Sequence, residues 1–111
     1  MDNNCQDKLR TLETLGQILR GIRESKKLLL RQVASAIDID TALLSKFERD
    51  DRKPSKELVI SLAKYYQINE NSLLLAWLSD KIAEDVQNED LAKEALKVAE
   101  KKIELFKSKK K

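Results

Sequence analysis

The chain has 111 residues, 41% of them apolar and 37% charged, with a net charge of +3, two Gly, one Pro, one Cys and no His. Such a length holds one small domain with an appendage, and few Gly and Pro among so many charges point to helices with solvated outer faces. Without His and with one Cys, zinc sites, Cys/His nucleophile pairs and imidazole bases are excluded, so neither an enzyme nor a cofactor is expected.

Residues 1–13 form a polar N-terminal extension in which the unpaired Cys5 points to a reducing cytoplasm. There is no apolar signal core, and no apolar run approaches the roughly 20 residues of a membrane span. Thr14 and Gln17 then stand at capping-box spacing, and the first helix is expected to run to about Lys27 with Leu15, Ile18, Leu19 and Ile22 on one face. Neither Gly16 nor Gly21 belongs to a phosphate-binding loop, because no strand-like run precedes a Gly-rich stretch.

Residues 30–49 read as two short helices joined by a tight turn. Val33, Ala34 and Ile37 share a face in the first half; Leu44 and Phe47 share one in the second, with Ile39 just before them. Asp40 precedes the second half, where a carboxylate can accept from unpaired backbone N–H groups, so this helix is expected to start at Thr41 and continue through Arg49. At about 1.5 Å per residue it is only some two turns long, too short to persist without neighbours. Its other face carries Thr41, Ala42, Ser45, Lys46 and Arg49. Small polar and basic side chains on an outward helix face are what the DNA major groove accepts.

Pro54 interrupts residues 50–55, and Ser55 is expected to cap a fourth helix lined by Leu58, Val59, Leu62, Ala63 and Tyr66. Asn69 caps a fifth helix, residues 70–87. A sixth is expected to start at Asn88, Glu89 and Asp90, with acids at its start and lysines at its end matching the helix dipole. Leu91, Ala95, Val98, Ala99, Ile103 and Phe106 recur along it at helical spacing. Together these segments predict an all-α chain of six helices, closed by the lysine run 109–111.

The residues Leu15-Gly16, Ile22-Arg23, Val33-Ala34, Ile39, Leu44-Ser45, Phe47-Glu48, Pro54-Ser55, Leu62-Ala63 and Leu73-Leu74 fall in an order and spacing that resembles the phage-repressor and Cro-like helix-turn-helix family, also called the XRE family. The resemblance covers residues 15–78, and so implies a helix-turn-helix domain over residues 14–78 followed by a C-terminal helical extension over 79–111. It implies a five-helix, repressor-like fold and a DNA-binding transcriptional regulator, usually a dimer on an operator with two related half-sites. It also implies an ion pair between Arg23 and Glu48 that ties the first helix to the recognition helix. Departures stand beside the matches. Leu29 and Leu30 replace the usual Ser or Thr and Gln, so the contact that the family's Gln makes to the DNA backbone is missing and Arg31 is expected to replace it. Asp38 and Asp50 occupy turn positions where the family commonly has Gly, and Asp accepts left-handed backbone less readily than Gly.

Residues 15–66 carry eleven Lys and Arg against seven Asp and Glu, a balance of +4 that favours a polyanionic partner. Thr41, Ala42, Ser45 and Lys46 are the expected base contacts; Arg31, Arg49, Arg52, Lys53 and Lys56 are the expected phosphate contacts. The stripe on the sixth helix needs a cover, either its own domain or a second copy; the second copy is the expectation, with Trp77, Leu91, Ala95, Val98, Ile103 and Phe106 at the contact and an intrachain core role as the alternative for Trp77. The expected partners are thus double-stranded DNA and another copy of the chain, with no membrane and no small-molecule ligand. A restriction-modification controller or a phage-type repressor suits the compact size. An antitoxin, or a protein-interaction adaptor that has lost DNA binding, is the alternative.

Overall fold

The computed structural model describes residues 12–109, which hold six complete α-helices and no strand: α1 (Leu15–Ser25), α2 (Leu30–Ala36), α3 (Thr41–Glu48), α4 (Lys56–Tyr66), α5 (Glu70–Val86) and α6 (Ala92–Lys109). Cys5, the extension before Leu12, and Lys110 and Lys111 lie outside the described residues. Among those described, no helix is long and apolar enough to cross a membrane.

Local chemistry sets most helix starts. Thr14 Oγ1 accepts from Gln17 N–H at 3.1 Å, and Gln17 Oε1 accepts from Thr14 N–H at 3.0 Å, a complete capping box on α1. Ser55 Oγ accepts from Leu58 N–H at 3.2 Å to start α4, and Asn69 Oδ1 accepts from Asn71 N–H at 2.8 Å before α5. At α2 only half a box exists: Gln32 Oε1 accepts from Leu29 N–H at 2.7 Å, and a leucine side chain offers nothing in return. Asp40 corrects one expectation. It holds the N-cap position of α3, but its side chain makes no capping bond and only its carbonyl engages, accepting from Leu44 N–H at 3.1 Å. An exposed carboxylate in water loses little by leaving the cap unmade.

Helices α1 to α4 end alike. Lys27, Asp38, Asp50 and Gln67 take positive φ of 57°, 60°, 61° and 58°, and the residue after each donates its N–H to the carbonyl five positions back, as Leu28 does to Arg23 at 3.1 Å. This turn stops α1 at Ser25, short of the Lys27 expected from periodicity, and makes Arg49 the C-cap of α3. Helix α6 begins at Ala92 because residues 87–91 form turns, with Ala92 N–H on Glu89 O at 3.2 Å.

The chain divides into two compact units, residues 1–80 and 81–111. The first contains the core: Leu15 and Leu19 from α1, Val33 and Ala34 from α2, Leu44 and Phe47 from α3, Val59, Leu62, Ala63 and Tyr66 from α4, and Leu73 from α5. Burying each large member contributes about 1.5–3 kcal/mol, which is what keeps so short a helix as α3 in place. In the second unit no residue of α6 is buried.

Candidate nucleic-acid interface

At roughly 100° per residue, Leu44, Phe47 and Glu48 occupy one arc of α3, whereas Thr41, Ser45, Arg49, Ala42 and Lys46 fan over the opposite side. The inner three are buried; Thr41, Ala42, Lys46 and Arg49 are exposed and Ser45 is half-buried. The two faces of the sequence motif therefore separate cleanly in space. Around them, Arg31, Arg52, Lys53 and Lys56 are exposed at the start of α2, in the turn after α3 and at the start of α4. Arg49 is shared between partners: its Nη1 lies 3.5 Å from Asp51 Oδ2 and its Nε donates to Ser45 O at 3.3 Å. Both side chains of that ion pair are more than half exposed, so it contributes no more than about 1 kcal/mol and can be exchanged for a phosphate.

What fixes α3 lies behind it. Arg23 Nε donates to Glu48 Oε2 at 2.8 Å and Arg23 Nη2 to Glu48 Oε1 at 3.0 Å, a two-pronged pair in which the glutamate side chain is 4% exposed. Arg23 Nη1 also donates to Leu28 O at 2.9 Å, so the same guanidinium holds α3 and the turn leaving α1. The hydrogen bond to Glu48, opposed by burial, holds the guanidinium pKa above its ordinary value. Tyr66 lies near this pair; burial pushes its phenol pKa well above the usual range, and its hydroxyl has no hydrogen-bond partner among the described residues.

Four features at this site are long-range, and motif spacing alone does not reveal them. Asp50 Oδ2 accepts from Thr14 Oγ1 at 2.6 Å and Asp50 Oδ1 from Gly16 N–H at 3.1 Å. Asp80 of α5 accepts from Leu15 N–H at 2.8 Å. Gly16 sits so close to the end of α3 that a Cβ there would stand 2.6 Å from Phe47 O and 2.7 Å from Glu48 O. Trp77, also on α5, donates its indole N–H to Pro54 O at 2.8 Å, an anchor for the turn that carries Arg52 and Lys53. The residues expected at a contact between copies are placed as follows: Trp77 is half-buried, and Leu91, Ala95, Val98, Ile103 and Phe106 are exposed, Phe106 at 61%.

A family model described as helix-turn-helix matches residues 13–73, more than half of the chain. The chain belongs to that family. It is a DNA-binding transcriptional regulator of the XRE type. No curated protein matches the chain significantly. In this XRE-type regulator the match spans α1 through the first turn of α5, so α3, its inner anchors and the turn after it all fall inside the family region, and α6 falls outside it.

Proposed function

We propose that this regulator binds DNA as a homodimer, with α3 in the major groove and α6 contributing the contact between copies. The observation that carries the first half is the separation of faces on α3, with Leu44 and Phe47 buried and Thr41, Ala42 and Lys46 facing outward. Lys46 then donates to guanine O6 and N7, while the methyl groups of Thr41 and Ala42 meet a thymine methyl. Arg31, Arg49, Arg52, Lys53 and Lys56 position the domain on phosphates without reading sequence. Lys46→Ala is expected to weaken binding to a cognate duplex by about 1–3 kcal/mol and to relax preference at one base pair, measured by titration of cognate and random duplexes side by side. Equal weakening on both would make Lys46 a phosphate contact instead.

The second half rests on α6. Leu96, Ala99, Ile103 and Phe106 repeat at spacings of three and four along a helix with no buried residue, the pattern of a seam between helices. A two-fold dimer sets its recognition helices about 34 Å apart, one turn of DNA, and so favours a near-palindromic operator. Truncation after Asn88 is expected to convert dimer to monomer in sedimentation velocity and to weaken operator binding steeply. A truncated chain that sediments as a dimer would remove α6 from this role.

A further inference from the structure

All four N–H groups at the start of α1 are satisfied, and by three different parts of the first unit. Thr14 and Gln17 serve each other, Asp80 of α5 takes Leu15 N–H, and Asp50 takes Gly16 N–H while also accepting from the Thr14 hydroxyl. Asp50 therefore reaches from the turn that ends the recognition helix back to the first turn of α1, 34 residues away along the chain.

The neighbouring turns indicate why a carboxylate is used there. Of the four left-handed turns, those at Lys27, Asp38 and Gln67 are followed by Leu28, Ile39 and Ile68, apolar residues packed on the core. Such a contact normally pins this kind of helix ending. After Asp50 comes Asp51, which is exposed and lies 3.5 Å from Arg49, so no apolar side chain pins this turn. Charge-assisted bonds from Asp50 to a helix N-terminus replace the missing plug, and they place negative charge where the helix dipole favours it.

We infer that Asp50 is a positioning residue for DNA binding: its carboxylate ties the end of α3 to Thr14 and Gly16 and so fixes the turn that presents Arg49, Arg52 and Lys53. This rests on the proposed reading of that turn as phosphate-facing. It reverses the simple electrostatic expectation, in which an acid beside DNA only repels and its removal tightens binding.

The test compares Asp50→Gly, Asp50→Asn and, as a control at an equivalent turn, Gln67→Gly, each titrated with a pool of random-sequence duplex DNA at low salt. Glycine relieves positive φ at both sites, so Gln67→Gly should melt higher than the parent and bind unchanged. Asp50→Gly should bind about fivefold or more weakly despite losing a negative charge, with Asp50→Asn, which keeps an acceptor for Thr14 or Gly16, lying between it and the parent. Amide hydrogen exchange at Gly16 and Asp51 supplies a readout independent of DNA, and both amides should exchange faster in Asp50→Gly. Tighter binding by both Asp50 variants, or unchanged exchange at these amides in Asp50→Gly, would overturn the tether. A parent protein that does not bind the pool at all would sink the phosphate-facing reading instead, and the exchange result would still decide whether the tether exists.

Discussion

Gly16→Ala is expected to lower the melting temperature by roughly 12–24 °C and to weaken DNA binding with it. The added methyl would stand 2.5 Å from Asp50 Oδ1 as well as 2.6 Å and 2.7 Å from two carbonyls at the end of α3, distances that ordinary Cβ atoms do not reach. A flexible carboxylate could swing away, but the Phe47 and Glu48 carbonyls belong to backbone and can yield only if α3 moves off α1. Overpacking a tight contact costs about 1–3 kcal/mol, and here the bond between Gly16 N–H and Asp50 is strained as well, which places the effect near the top of that range. At 4–8 °C per kcal/mol for a domain this small, about 3 kcal/mol gives the stated shift. Gly21 provides the contrast within the same helix. Nothing lies within 4 Å of a Cβ there, so Gly21→Ala should gain up to about 1 kcal/mol from helix propensity alone. Thermal melts of the two variants check both signs, and equal melting of Gly16→Ala and the parent would mean that α1 and α3 are not in this close contact.

Glu48→Ala is expected to cost about 3–5 kcal/mol, because it strands the Arg23 guanidinium beside the core with two of its donors unmatched. Glu57 is exposed on the first turn of α4, and Glu57→Ala should stay within about 0.5 kcal/mol of the parent. Removing both members of the pair, as in Arg23→Leu with Glu48→Leu, should recover much of the loss, since the penalty lies in the uncompensated charge rather than in the absence of the bridge. Urea unfolding of the single and double variants measures this coupling. Indistinguishable midpoints for Glu48→Ala and Glu57→Ala would show that the pair is solvated and structurally idle.

Features whose cause lies within a few residues were readable from the sequence. The Thr14 and Gln17 box, the Ser55 cap and the Asn69 cap each act over two or three positions, and the apolar spacing in α1 and α4 places Leu15, Leu19, Val59 and Leu62 in the core. Arg23 and Glu48, 25 residues apart, are a pair suggested by family resemblance, and the structure brings them together. Where the determinant is a distant backbone group, the sequence is silent. Asp50 reads as an awkward acid in a turn until Thr14 and Gly16 are seen to donate to it, and nothing near Asp80 announces Leu15 N–H as its partner. Gly16 was legible only as a family residue; the carbonyls of Phe47 and Glu48 supply its physical reason. Asp40 shows the converse error, in which a residue of the right type at an N-cap position leaves its side chain uncommitted.

Selection of bound sequences from a random duplex library tests most directly whether the outward face of α3 reads DNA. The expected result is an enriched motif with two related half-sites whose centres lie about 10–10.5 base pairs apart, reflecting two copies of α3 in successive turns of the major groove. Recovery of a pool with no enriched motif would contradict base reading by Thr41, Ala42, Ser45 and Lys46 and leave that face without its proposed role.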